Sequence, residues 1–509
     1  MDLLKKLAQL VWTSIAPVVV LLSIQQLQAT YVPTVDDTPL PQITETASPV
    51  WQNDNSTLYL PLVTSKPSWM SPFGVEPIGL LQESSLIYTR TWELDAGWVR
   101  LGTHVQWRDL QPDESGPIQW SVLAGFEEEL RDLKKAGIRP VVTITDSPRW
   151  VTIIPSSCAA VRADKFPAFA DFMRQLVERY KAGEYNVHDW ELGNEPDVDP
   201  DLIATDSGFG CWGDYDNPYY GGQHYGEMLK VVGAAIKQAD PDARVWIGGL
   251  LLDRPDSSPN PSCSLVGKCR PELFLEGILL SGAAPHFDVV AYHGYSMYIN
   301  QKIDHDNAIS FSSWYGWGGT FIGKARFLRQ TLQAYGVTKS LYLNEAGLMC
   351  PDAVYSPYCI PPNGPNPDFF HMQADFLSRG FVRALSENIS GLAWYTLEGP
   401  GWRYTGLLNN GTPNPAFIAY QQLTHQLKDS RYAGMVDYGA QIEAYAFETR
   451  FKRVHVVWAK SDQTINLVVP GDKFVSAYDR DGNLITPLPV GPDFQLPVSF
   501  SPAYINFSP

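Results

Sequence analysis

Trp190-Glu191-Leu192-Gly193-Asn194-Glu195-Pro196 is an apolar run that ends in a glutamate and breaks at a proline. Leu341-Tyr342-Leu343-Asn344-Glu345-Ala346-Gly347 repeats the form further along the chain. A strand that stops this way delivers its last side chain to one rim of a parallel sheet, so each run brings a carboxyl to that rim. Outward from these two, further strand-like runs occur at Phe73–Glu76, Trp98–Leu101, Pro140–Thr145, Val245–Leu250, Val289–His293 and Leu392–Tyr395. Most are rich in Val, Ile, Leu and aromatic residues without clean alternation, the pattern of strands buried on both faces. Amphipathic helical stretches separate them. Phe166, Phe169, Met173, Leu176, Val177 and Tyr180 recur at helical spacing before Gly183, and Glu127 with Arg131 makes an i, i+4 pair on a solvated face. The alternation predicts an α/β fold, a (β/α)8 TIM barrel over residues 67–428. A doubly wound open sheet is the rival architecture, but no G-x-G-x-x-G follows the first strand. After a helix at Pro415–Leu427 the pattern changes to short alternating runs, among them Ile442–Phe447, Val454–Ala459, Ile465–Val469, Val475–Tyr478 and Ala503–Phe507. Split by Gly, Asp and Pro, they predict a small antiparallel β-sandwich over residues 429–509.

With 509 residues the chain is long enough for one large domain and a smaller one. Its formal charge of −17, from 38 basic and 55 acidic side chains, repels nucleic acid and anionic lipid and points to a neutral partner. Trp, Tyr and Phe number 16, 25 and 22, a supply of flat apolar faces that suits sugar rings, although most of them are expected in the core. Lys5 and Lys6, the apolar stretch Leu7 to Ile24 and Leu27-Gln28-Ala29 form a signal peptide or membrane anchor over residues 1–29. The protein is therefore expected outside the cell or at its surface. Residues 30–66 read as a linker rich in Thr, Pro, Asp and Ser, with one strand-like run at 57–63. Six cysteines fit an oxidising compartment, and their spacing alone leaves many connectivities open. Cys263/Cys269 and Cys350/Cys359 are the natural local pairs, leaving Cys158 with Cys211. No zinc-ligand spacing occurs, so neither a metal nor a cofactor is expected.

In the barrel frame Glu195 follows the fourth strand and Glu345 ends the seventh, so both can converge over the axis. Two such carboxyls meet the needs of glycosidic cleavage with retention. One must protonate the leaving oxygen and the other attack the anomeric carbon, with the groups about 5–5.5 Å apart. Their surroundings must push the two pKa values in different directions. Glu195 is expected as acid/base and Glu345 as nucleophile.

At these residues the sequence resembles the glycoside hydrolases of clan A, the retaining (β/α)8 enzymes with cellulase-like, β-xylosidase-like and β-galactosidase-like families. The resemblance covers roughly residues 70–427 and rests on Asn194-Glu195-Pro196, Glu345 and Trp394 in their places on the strands. It implies that Asn194 binds the sugar 2-hydroxyl. It places Arg100, in Trp98-Val99-Arg100-Leu101, near the nucleophile, where a guanidinium keeps a carboxylate ionised. His293-Gly294-Tyr295 matches the clan's His-x-Tyr, with Tyr295 on the nucleophile and His293 on the substrate or the acid/base. Trp394 is implied as the floor under the reacting sugar. Trp150, in Thr145-Asp146-Ser147-Pro148-Arg149-Trp150, is implied as a border of the cleft, although Asp146 departs from the small residue expected there. Glu191 lies too early on its strand to reach the mouth and reads as a structural acid. Glu398, past the eighth strand, is the main competing carboxyl. Phe209, Trp212, Tyr215, Tyr219, Tyr220, Trp314, Trp317 and Trp402 lie on long loops, as stacking rings or as small loop cores.

The function expected is a secreted retaining β-glycoside hydrolase that cleaves plant- or microbe-derived oligo- or polysaccharide by double displacement. A transglycosylase with the same residues is one alternative, and a non-catalytic carbohydrate-binding surface protein is the other. The intact set of Glu195, Glu345, Asn194, Arg100 and Tyr295 argues against a decayed barrel. The partner is an oligo- or polysaccharide and not nucleic acid, with membrane contact only through the N-terminal segment.

Overall fold

A computed structural model describes residues 71–509 apart from 80, 83–84, 203–207, 256–269, 300–301, 307–311, 351–358 and 360–364. The signal or anchor over 1–29, the linker over 30–66 with its run at 57–63, and the Cys263/Cys269 pair lie outside the described residues.

Eight parallel strands close into a barrel in sequence order, with the first hydrogen-bonded to the last. They are β1 (Phe73–Glu76), β2 (Trp98–Gln106), β3 (Arg139–Thr145), β4 (Asp189–Asn194), β5 (Arg244–Leu250), β6 (Val289–Met297), β7 (Ser340–Met349) and β8 (Gly391–Tyr395). One main helix follows each strand: α1 (Leu86–Glu93), α2 (Ala124–Ala136), α3 (Phe166–Tyr180), α4 (Gly222–Ala239), α5 (Phe274–Leu280), α6 (Gly319–Ala334), α7 (Pro367–Ser386) and α8 (Pro415–Leu427). The helical spacing read in the sequence is the buried stripe of α3, where Phe166, Phe169, Met173, Leu176, Val177 and Tyr180 face the core. Helix α7 starts where Asn366 accepts the Phe369 N–H and Pro367 occupies the first turn.

The barrel interior is layered. Trp98, Val141, Trp246, Val289, Ala291, Tyr342 and Ala393 fill its lower part, with the Trp246 and Tyr342 rings 4.4 Å apart. Side chains alternate along a strand, so the next inward position on β2 after Trp98 is Arg100, and on β6 after Ala291 it is His293. The alternation is broken on β7. There Leu343 pairs with Tyr292 but Glu345 pairs with His293, which leaves Asn344 as an extra residue. A bulge of this kind re-aims the side chains beyond it, and both Asn344 and Glu345 bond inward-facing groups.

Beyond a short hairpin of β9 (Leu408–Asn409) and β10 (Thr412–Pro413), the C-terminal part is a β-sandwich. Its strands are β11 (Arg431–Met435), β12 (Ile442–Glu448), β13 (Arg453–Ala459), β14 (Ile465–Val469), β15 (Phe474–Tyr478), β16 (Leu488–Val490), β17 (Asp493–Val498) and β18 (Ala503–Phe507). A five-stranded sheet, β11-β12-β13-β18-β15, faces a three-stranded sheet, β14-β17-β16, over a core that includes Ile442, Val457, Leu467, Leu496 and Ile505. The sandwich docks on α7. Arg383 there forms a two-pronged pair with Glu443, both bonds 2.8 Å, and Asp375 takes Arg480 at 2.8 Å. On the C-terminal rim of the barrel, disulfide Cys158–Cys211 links the segments after β3 and β4, and Cys350–Cys359 joins two residues of the segment after β7. Among the described residues no helix is long and apolar enough to cross a membrane.

Candidate active site

Arg100 organises the mouth of the barrel. Its side chain is 1% exposed and meets three carboxyls. Nε and Nη2 hold Glu191 at 2.7 and 3.2 Å, and Nη1 donates to Glu76 Oε2 at 2.9 Å and to Glu345 Oε1 at 2.5 Å. Nη2 also donates to Asn194 Oδ1 at 2.8 Å, while Asn194 Nδ2 donates to the Gly208 carbonyl. Burial works against the guanidinium charge, but Glu191, Glu76 and Glu345 more than offset it and hold Arg100 protonated. Glu191 is fully buried beneath the mouth. It also accepts from the Thr143 hydroxyl (2.6 Å), the Gly249 N–H (2.8 Å) and Asn344 Nδ2 (2.7 Å). Burial would raise this carboxyl, yet Arg100 and Thr143 hold it below its usual value. It anchors the arginine and has no lone pair left for substrate.

Glu345 is 9% exposed and is gripped from both sides. Arg100 takes Oε1, and the Tyr295 hydroxyl donates to Oε2 at 2.5 Å. Two donors thus fix the orientation of the carboxyl at the mouth.

Glu195 stands just past β4 with φ +48°, a left-handed conformation that a non-glycine residue adopts at a cost, and its N–H is pinned by the Gly249 carbonyl at 3.0 Å. Its carboxyl is nearly sealed, and burial pushes it up to about 7, partly countered by Lys324 and Arg100. One imidazole, hydrogen-bonded to Glu195 alone, lies close to both glutamates. His293 Nδ1 lies 2.8 Å from Glu195 Oε1, and Nε2 lies 3.4 Å from Glu345 Oε1. Burial pushes His293 down to about 4, so the ring between the two acids is neutral at ordinary pH. It fits only because residue 249 is glycine: a Cβ there would sit 2.1 Å from Nε2. The result is one carboxyl raised by burial and one held by two hydrogen-bond donors at a common mouth. That is the division of labour an acid/base and a nucleophile need.

Six of the sequence-derived candidates thus meet in one network: Arg100, Asn194, Glu195, His293, Tyr295 and Glu345. Two do not. Trp394 was expected under the sugar, but it is fully buried, donates its indole N–H to the Thr405 carbonyl (2.8 Å) and packs against Phe376 of α7. Ala393 is the barrel-core residue on β8, so Trp394, one residue on, faces the helix layer. Tyr395 comes next in inward phase, its ring 6.1 Å from that of Tyr295. Trp402 completes the corner at 4.9 Å from Tyr295 and is 40% exposed. Trp150 packs against Trp107, edge to face at 5.6 Å, and donates to the Gln111 carbonyl, with no bond into the network. Glu398, the competing carboxyl, accepts from Gly411 N–H at 3.4 Å and takes no part in the network. Of the loop rings, Trp212, Tyr220 and Trp314 are buried and form loop cores.

Two participants are absent from the sequence reading. Glu76 ends β1 in the same strand-then-carboxyl form that marked the other two, so the signal was present. Lys324 projects from α6 and donates to the carbonyls of Leu251 (2.6 Å) and His293 (2.9 Å), where burial brings it down to about 8. Nothing in a helix sequence marks such a lysine.

No family model matches this chain, and no curated protein matches it. Solved structures do. A family 39 glycoside hydrolase from the gut symbiont Bacteroides cellulosilyticus WH2 aligns over 87% of this chain and 82% of its own, with TM-score 0.62 and 17% identity. A monomeric β-xylosidase from Caulobacter crescentus CB15 aligns over 86% and 96%, with TM-score 0.55 and 17% identity. A GH30 endoxylanase from Clostridium papyrosolvens C71 aligns over 86% and 96%, with TM-score 0.54 and 12% identity. At these identities the likeness is one of fold: the chain has the barrel-and-sandwich fold of family 39 and family 30 glycoside hydrolases.

Proposed function

We propose that this protein is an exported retaining β-glycoside hydrolase acting on plant- or microbe-derived oligo- or polysaccharide. The observation that carries the reading is the single neutral imidazole in reach of both carboxyls, with Glu195 raised to about 7 and Glu345 gripped by Arg100 and Tyr295. In the first step Glu345 attacks the anomeric carbon while Glu195 passes its proton to the leaving oxygen. The glycosidic bond breaks and a glycosyl ester forms on Glu345. In the second step Glu195, now a carboxylate, takes a proton from water as the water oxygen attacks the same carbon. Glu345 leaves, and the anomeric configuration is retained after two inversions. Neighbours described as xylosidase and endoxylanase make a β-xyloside the first substrate to try. Export rests on the charged and apolar pattern of residues 1–29.

The test is hydrolysis of aryl β-xylosides, glucosides, galactosides and mannosides, with the first-formed anomer read by NMR. Glu345→Ala is expected to lose activity by a factor of about 10⁴ or more, and azide is expected to restore turnover as the α-glycosyl azide. Inverted product, or a Glu345→Ala variant as active as the parent, would sink the reading.

A further inference from the structure

Glu76 sits at the mouth of the barrel, sharing Arg100 with Glu345. It is the last residue of β1, and its carbonyl is clamped by the Thr396 hydroxyl (2.7 Å) and the Leu397 N–H (2.9 Å) just past β8. One carboxyl oxygen, Oε2, takes Arg100 Nη1, the same nitrogen that holds Glu345 Oε1. The other, Oε1, has no hydrogen-bond partner among the described residues and is not itself buried, so the 8% exposure of this side chain includes it. Gly102 on β2 leaves room for that oxygen, since a Cβ there would come within 2.7 Å of it. The residue is thus rigid, nearly enclosed, and has one free oxygen at the mouth beside the attacking carboxylate.

The charge count settles its protonation. Among the described residues, Arg100 is the one guanidinium paired with Glu191, Glu345 and Glu76. Glu191 is fully hydrogen-bonded as an anion and Glu345 is gripped by two donors, so the third carboxyl is the one that keeps its proton. Burial acts in the same sense and pushes Glu76 up to about 8, with Arg100 opposing. With Oε2 accepting from Arg100, the proton belongs on Oε1. A buried carboxyl kept neutral in this way is a hydrogen-bond donor.

On the reading that the site is a retaining β-glycosidase, we infer that Glu76 is a specificity-determining residue whose Oε1–H donates to a hydroxyl of the sugar held between Glu195 and Glu345. Glu76 and Asn194 stand on β1 and β4, on different sides of the mouth, so the hydroxyl it reads is not the 2-hydroxyl expected at Asn194. It is the one at carbon 3, 4 or 6.

The experiment compares kcat/KM for the parent aryl β-glycoside and its 3-, 4- and 6-deoxy analogues in wild type, Glu76→Gln and Glu76→Ala. A glutamine can accept from Arg100 with its oxygen and donate to the sugar with its amide, so Glu76→Gln is expected within about threefold of wild type. Glu76→Ala is expected to lose about tenfold on the parent and nothing further on the one analogue that lacks the hydroxyl read by Oε1. Equal losses on the parent and all three analogues, or a glutamine variant as damaged as the alanine one, would overturn the inference while leaving the glycosidase reading intact. If Glu76→Ala fails to fold, Glu76→Asp, whose shorter side chain withdraws the hydroxyl, carries the same comparison. A wild-type protein inactive on every parent glycoside overturns both.

Discussion

Glu195 is held in a strained backbone conformation, with its N–H on Gly249 and its carboxyl against a neutral imidazole. The chemical consequence of its burial is a carboxyl that stays protonated up to about pH 7. As the proton donor it must be in the acid form, so kcat/KM for glycosides with poor leaving groups is expected to fall as pH rises through about 7. A dinitrophenyl leaving group departs unaided and should lose that alkaline limb in the glycosylation step. Glu195→Ala should then cost about 10²- to 10⁴-fold on poor leaving groups and far less on dinitrophenyl glycosides. An unchanged alkaline limb across leaving groups of different acidity would remove Glu195 from the role. The two glutamates were legible because each closes an apolar run, and Glu76 carried the same mark and was passed over. Trp394 departs from its expected place for a physical reason. Leu392-Ala393-Trp394-Tyr395 is apolar on both faces, so its sequence holds no phase, and only the register with β1 and β7 shows which ring turns inward.

At the scale of elements, the site depends on strands arriving in the right phase and at the right distance. The bulge on β7 brings Asn344 and Glu345 inward together, and no feature of Leu343-Asn344-Glu345 announces it. On β5 the requirement is for empty space. A methyl at residue 249 would lie 2.1 Å from His293 Nε2 and 2.8 Å from Asn344 Oδ1. Gly249→Ala must displace a fully buried ring, so it is expected to lower stability and also to lose about 10²-fold in kcat/KM as the imidazole leaves its place beside the glutamates. Thermal melts and kinetics on the same sample separate the two effects, and full activity would show that His293 need not stay there. Helix α7 is the element that joins barrel to sandwich. Arg383, its side chain 13% exposed, lies between Asp304 (2.6 Å) and Glu443, and removing one member of such a set strands the others. Arg383→Ala should destabilise the protein by about 3–5 kcal/mol, measured by denaturant unfolding, and a loss under 1 kcal/mol would mean that the pairs are hydrated. The sandwich strands at this contact were legible from alternation, whereas α7 was implied only as one of the helical stretches between barrel strands. The contact was not, since charged residues on a helix face look the same whether they meet water or another domain.

Across the whole molecule, burial of ionisable groups gives stability a pH dependence whose sign can be worked out. Burial pushes Glu76 and Glu129 up to about 8, and Glu195 and Asp197 up to about 7. Each favours the folded state while protonated, so that contribution is complete below the unfolded carboxyl value and is lost as pH rises through 7 and 8. His293, His305 and His455 are pushed down to about 4 by burial. Their contribution is present above the unfolded histidine value of about 6.5 and is lost as pH falls toward 4. Below pH 6.5 the two sets oppose each other. Lys324, brought down to about 8, favours folding only as pH climbs from there toward the unfolded lysine value. Between pH 6.5 and 8 the carboxyls therefore titrate with little opposition, and Tm is expected to fall steadily across that window. Glu129 lies away from the active site, on α2, and accepts the Leu81 N–H at 2.9 Å, a bond that an amide oxygen can keep. Glu129→Gln should flatten the fall in Tm without altering catalysis, whereas a Tm that is level or rising from pH 6.5 to 8 in the wild-type protein would show that these carboxyls are not held in their acid forms.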